Sequence, residues 1–176
     1  MPDLFTRAAA GAAAGFAATG PMTLVMAGAR EALPADEQHS LPPRIVTERA
    51  AQAAGVAHRM DEPEKKAVTT AAHFGFGAAA GAVYGVAAPA MPFDPVGNGV
   101  AFGLGVWASS YVGWLPAAGL HPPAHRESAG RNAMNVAAHV VWGAVLGLLT
   151  EQLAGSRAGE DGRQLKRPAP EVMASG

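Results

Sequence analysis

Two histidines set among apolar residues carry most of the chemistry that this sequence offers. His73 follows Ala71-Ala72 and His139 follows Ala137-Ala138, each inside a run without Asp, Glu, Lys or Arg. An imidazole can exchange a proton near neutral pH, bond through either ring nitrogen, or ligate a metal. In a membrane such a group is costly, and it marks a pathway, a cofactor or a buried hydrogen bond. Three readings are open. In the plainest, each is a neutral histidine bonded to a neighbouring helix, with Ser109, Ser110 or Tyr111 as partner. In the second, the pair carries a proton or an ion. In the third, both imidazoles hold a haem, because Gly77 and Gly143, four residues after each histidine, would let a flat macrocycle approach. The expectation is no cofactor, with haem the alternative. Ser109, Ser110, Asn132 and Asn135 read as hydrogen bonders between helices.

Other chemistries are missing from the chain. It has no phosphate-binding glycine loop, no Ser-His-Asp order and no metalloprotease helix. It has no cysteine, which removes disulfides, thiolate metal sites and iron–sulfur clusters. His121 and His125 have metal-like spacing, but Pro122-Pro123 forbids a helix between them and Glu127 is the one carboxylate nearby, so no metal is expected. No residue is assigned a catalytic role, and a non-enzymatic protein is expected. A net charge of -1 gives no basic face for nucleic acid.

The elements that position the histidines follow from where charge is absent. Of the 176 residues, 49% are hydrophobic and 15% charged, and Ala and Gly together make up roughly a third. Ala8–Ala29, Ala67–Phe93, Pro95–His125 and Asn132–Thr150 contain no Asp, Glu, Lys or Arg. At 1.5 Å per residue, about 20 apolar residues cross a hydrocarbon core of roughly 30 Å. Each run is long enough. A soluble bundle would need charged helix faces, and these runs have none. The expected fold is all-α, a four-transmembrane-helix bundle, multi-pass in a bacterial cytoplasmic (inner) membrane. Its helices fall at about 8–29, 62–88, 100–120 and 131–153, with a polar loop at 30–61 and a polar, disordered tail at 154–176.

Local signals refine this. Gly20-Pro21 predicts a kink in the first span. Pro43 opens a short helix that reaches about Ala54 and is closed by Gly55. Asp61 with Glu64 predicts an N-cap pair. Phe93-Asp94-Pro95 to Gly97-Asn98-Gly99 reads as a tight turn. Trp107, Tyr111 and Trp114 fall at i, i+4 and i+7, one aromatic stripe for packing or an interface belt. Leu115-Pro116 kinks or ends that helix.

The second and fourth spans share a phrase. Ala71-Ala72-His73, Gly77-Ala78 and Gly81 match Ala137-Ala138-His139, Gly143-Ala144 and Gly147. The spans are two apart and cross in the same direction, as in a parallel two-helix repeat. Gly77, Gly81 and Gly85 form one ridge and Gly143 and Gly147 another. The two ridges are expected to pack against each other, or to mediate a homo-oligomer. His73 lies about six residues past the first uncharged residue of its span and His139 about seven, so both sit roughly 10 Å deep. If the ridges face inward, the two histidines share one site.

Leu41-Pro42-Pro43-Arg44, the His73-to-Gly85 phrase, Gly119-Leu120-His121-Pro122-Pro123 and His139-Val140-Val141-Trp142 resemble the YagU-like family. The resemblance implies a small bacterial inner-membrane protein with four helices and no assigned biochemical activity. It also implies cytoplasmic termini, whereas the Lys and Arg of the loops 30–66 and 121–131 favour cytoplasmic loops. The expected function is an accessory or stress-related membrane bundle whose partners are the lipid bilayer, a further copy or another membrane protein. The alternative is a small proton or ion pathway or a b-type haem protein.

Overall fold

The computed structural model describes residues 3–164, and the side chains of 3–155. Among these residues the chain is helical throughout and forms no strand. Helix α1 spans Leu4–Glu31 and is capped by the Asp3 carboxylate, which accepts from the Thr6 amide at 2.8 Å. It continues through Pro21. Helix α2, Pro42–Ala53, starts on a proline pair and ends where Gly55 turns left-handed at φ 71°. There Val56 and Gly55 donate to the Ala51 and Gln52 carbonyls, each at 3.0 Å, and close the last turn. Helix α3, Glu62–Ala87, opens on the expected reciprocal cap between Asp61 and Glu64.

Helix α4, Pro95–Ala108, begins earlier than expected. Gly97-Asn98-Gly99 is its first turn and not a loop. The Asp94 carboxylate accepts from the amides of Val96 and Gly97 at 3.0 and 3.1 Å, and the Asn98 side chain accepts from Phe93 N at 2.8 Å. The segment Ser109–Trp114 then widens into a π-helical turn, with Gly113 leaving helical geometry at φ -104°, ψ -105°. A short α5, Leu115–Ala117, ends at Gly119, which is left-handed at φ 70°. Helix α6 spans Ala129–Gln164. It carries the fourth expected span past 153. The rest of the expected tail, residues 165–176, lies outside the described residues.

Leu4–Glu31, Glu62–Ala90 and Ala129–Gly155 are long and apolar enough to cross a membrane. The third expected span, at about 100–120, is not among these three and is interrupted by the π turn at Ser109–Trp114. The helices stand in an open row. Helix α3 packs along α1, α1 along α6, and α6 along α4. Between the ends of the row, α3 and α4, the Tyr84 and Phe102 rings meet at 5.3 Å near the turn that joins the two helices.

The glycine ridges have other partners than expected. A Cβ on Gly77, Gly81 or Gly85 would collide with α1: with Thr19 and Gly15, with Gly11 and Gly15, and with the Arg7 carbonyl respectively. A Cβ on Gly143 or Gly147 would collide with the backbone of α4 at Gly99 or Pro95. The two ridges therefore do not pack on each other. Each receives a second glycine-bearing helix, so backbones approach where side chains would hold them apart.

Candidate functional site

A cavity of about 250 Å³ lies in the half of the bundle nearer the loops 32–41 and 118–128. Helix α1 lines it with Thr19, Met22 and Met26, and α2 covers one end with Pro42, Pro43, Val46 and Thr47. His73, Phe76 and Gly77 enter from α3, Ser110, Tyr111 and Trp114 from the π turn, and His139 and Trp142 from α6. No Asp, Glu, Lys or Arg lines it. Phe76 and Trp114 face each other at 6.3 Å between ring centroids. They are 47% and 45% exposed. The cavity thus reaches the outer surface sideways, between α3 and the π turn.

Several polar atoms around the cavity are unused by the protein. His139 Nδ1 donates to the Asn135 carbonyl of its own helix at 2.8 Å. A neutral imidazole carries one N–H, so His139 Nε2 is left as an acceptor. His73 Nε2 is buried without a partner. Ser110 and Tyr111 are buried, and their hydroxyls bond to none of the described residues. Tyr111 stands edge-on to two imidazoles, His139 at 5.9 Å and His121 at 5.1 Å.

The structure therefore brings His73, Ser110, Tyr111 and His139 to one space. It sets Ser109 elsewhere: this residue is exposed and donates to Val106 O of its own helix at 3.1 Å. Asn135 is buried, but its side-chain amide has no partner, and its carbonyl is what holds His139. Asn132 bonds to the Ala124 carbonyl of the preceding loop at 2.7 Å. None of the four expected bonders links two of the long helices. The histidines are also not bonded to Ser109, Ser110 or Tyr111. Nor do Gly77 and Gly143 open a slot for a macrocycle, because α1 and α4 fill their faces.

Sequence reasoning missed Trp142 and His121. Trp142 follows His139 by three residues, which places both on one helix face. Its indole N–H donates across the bundle to the Gly15 carbonyl at 3.2 Å. His121, weighed in the sequence only for its metal-like spacing with His125, is 2% exposed. Burial pushes its imidazole below the usual histidine range, against the opposing pull of the Pro122 carbonyl that accepts from Nδ1 at 2.7 Å.

The loop end is fixed by buried charge. Arg131, 1% exposed, pairs with Glu127 at 2.7 Å and donates to the Glu37 and Ser40 carbonyls at 3.0 and 3.1 Å. Arg30 donates to the Gln38 and His39 carbonyls of the same loop. At the opposite end Arg7 joins three helices, bonding to the Gly85 carbonyl at 3.0 Å and to Glu151 at 2.7 Å. Arg30 of α1 and Arg131 of α6, with Ser128 donating to the Glu37 carboxylate at 2.6 Å, hold the loop over the cavity end.

A family model matches residues 22–148, a stretch that includes His73, the π turn, His121 and His139. The chain belongs to DUF1440, a family of proteins of unknown function. No curated protein and no solved structure matches this DUF1440 chain. The matched stretch starts at Met22, so it includes the ridges of α3 and α6 and the α4 glycines but leaves out Gly11 and Gly15.

Proposed function

We propose that this is a YagU-like, multi-pass protein of a bacterial inner membrane, crossing it four times through α1, α3, the interrupted 95–117 segment and α6. It serves as a non-enzymatic accessory or stress-related bundle that works with lipid and with a further copy or another membrane protein. The observation that supports it is the outward face of the long helices. Leu24 on α1 is 74% exposed, Val83 on α3 60% and Leu148 on α6 46%. Apolar side chains of this size along charge-free helices have a bilayer as their natural cover. The paired contacts, α1 on α3 and α4 on α6, support descent from one two-helix unit. Because the chain has no cysteine, single cysteines introduced at Gln38, Phe93 and Ala118 report topology with a membrane-impermeant maleimide. Positions 38 and 118 are expected to label from one side and 93 from the other. Labelling of 38 and 93 from the same side overturns the four-span reading.

One observation favours a second reading, a proton or ion pathway. His121, Tyr111 and His139 form a continuous row of rings from the loop into the cavity, which His73 also lines. His73→Gln and His139→Gln keep hydrogen bonding and remove titration. Proteoliposomes that pass protons with wild-type protein and not with either variant would support the pathway. Equal flux in all three eliminates it.

A further inference from the structure

We propose that the cavity between α3, the π turn and α6 binds the ring of a lipid-soluble quinone that enters sideways from the bilayer. The inference rests on the cavity lying within the membrane, as argued above. It goes beyond that reading by naming the ligand.

Charge selects the class first. The lining has no cation for a phosphate and no carboxylate for an amine, so a charged headgroup would be stripped of water with nothing to replace it. The occupant is uncharged. Shape comes next. Phe76, Tyr111, Trp114 and Trp142 give flat walls, which suit a planar ring by stacked or edge-on contact. At about 250 Å³ the space lies just below the roughly 300–1,000 Å³ of sites that enclose a whole drug-sized ligand. A ring fits inside while its chain stays in lipid, passing beside the half-exposed Phe76–Trp114 pair.

The unused polar atoms select within that class. Tyr111 and Ser110 each offer a hydroxyl that no protein group occupies, and each can donate to a quinone carbonyl. His139 Nε2 can accept from a hydroquinone hydroxyl, and His73 Nε2 adds a second nitrogen from the facing helix. A plain acyl chain would leave all four idle, and His73 Nε2, buried without a partner, would stay so at a cost in stability. A ring with oxygens on opposite edges satisfies groups on both sides of the cavity. The π turn supports this assignment, because wide helical turns of this kind recur at functional sites and this one carries Ser110, Tyr111 and Trp114.

The test uses full-length protein in phosphatidylcholine nanodiscs, titrated with decylubiquinone and followed by tryptophan fluorescence and by melting temperature. Wild-type protein is expected to show saturable quenching and a higher melting temperature with ligand. Tyr111→Phe, which removes one hydroxyl and keeps the ring, is expected to bind about tenfold more weakly while melting like wild type without ligand. Gly75→Ala, on the open face of α3, is expected to bind as wild type. Quenching that does not saturate, or is equal in wild type and Tyr111→Phe, means partition into lipid only and overturns the proposal. Competition by decanol as effective as that by decylubiquinone also overturns it, since it would mark an acyl-chain site. The maleimide labelling of single-cysteine variants is read in proteoliposomes made from the same preparation. Lost binding with the expected labelling removes the ligand and leaves the topology; altered labelling removes the topology whatever binds.

Discussion

The ring of Tyr111 stands edge-on to that of His139, with centroids 5.9 Å apart and planes at 89°. The hydrogen edge of one ring therefore meets the face of the other, an arrangement worth about 0.5–1.5 kcal/mol beyond the area buried. Since the Tyr111 hydroxyl bonds to no protein group, the ring and the hydroxyl have separable roles. Tyr111→Phe should leave stability within about 0.5 kcal/mol of wild type. Tyr111→Ala should cost about 3–5 kcal/mol by opening a void beside His121 and His139. Thermal unfolding in a mild detergent separates the two, and equal losses would show that the hydroxyl is structural.

Gly81 and Gly75 lie on the same helix and differ in what they face. A Cβ at Gly81 meets the backbone of α1, whereas at Gly75 nothing lies within 4 Å. Gly81→Ala should cost about 1–3 kcal/mol through forced separation of the helices. Gly75→Ala should be neutral or stabilising by up to about 1 kcal/mol, since alanine is the better helix former. Chemical denaturation of the two variants in one detergent is the comparison. A Gly81→Ala protein as stable as wild type would count against the close approach of α1 and α3.

Arg131 is the buried centre of the loop clamp. Arg131→Met strands Glu127, which is 8% exposed at its side chain, together with the carbonyls of Glu37 and Ser40. Removing one partner of such a buried pair costs about 3–5 kcal/mol. Limited proteolysis should then cut within 32–41 at protease levels that spare wild type. Resistance equal to wild type would mean that Arg30 and the Ser128–Glu37 bond hold the loop without Arg131.

His121 gives stability a pH dependence. Its folded pKa lies below the ordinary value of 6.5, so the unfolded chain takes up the proton first as the pH falls. Its contribution is therefore complete above pH 6.5 and declines below it, until the folded pKa is passed. Melting temperatures at pH 7.5 and pH 5 should differ more for wild type than for His121→Gln. Identical pH profiles would show that the imidazole titrates as freely in the fold as outside it.

Features set by nearest neighbours in the chain were legible in the sequence. The Asp61–Glu64 cap, the Gly55 stop and the three long apolar helices each depend on residues a few positions apart. The start of α4 was misplaced because Gly97-Asn98-Gly99 has turn composition. There the glycine at 99 serves contact with α6 rather than a turn. The aromatic stripe assumed an unbroken 3.6-residue period, and the π turn breaks that phase, leaving Tyr111 buried and Trp114 exposed. Spacing could show that His73 and His139 ride on glycine ridges. It could not show which helix each ridge would meet, because periodicity fixes a face and not its neighbour. The burial of His121 depends on the fold of a loop whose proline content says only where helices stop.

The break at Gly113 also bears on how the protein is made. A segment with interrupted backbone bonding is poorly soluble in lipid until protein covers it, and the helix that leads into this one, α4, packs along α6. The ribosome delivers α6 after α4. In the four-span reading proposed above, the 95–117 segment waits at the insertion machinery until the glycines of α6 emerge and dock on Gly99 and Gly103. A chain stopped in the 118–128 loop would leave its newest segment stranded at the bilayer surface, a substrate for membrane proteases. In that reading α6 acts as a built-in chaperone for the segment before it.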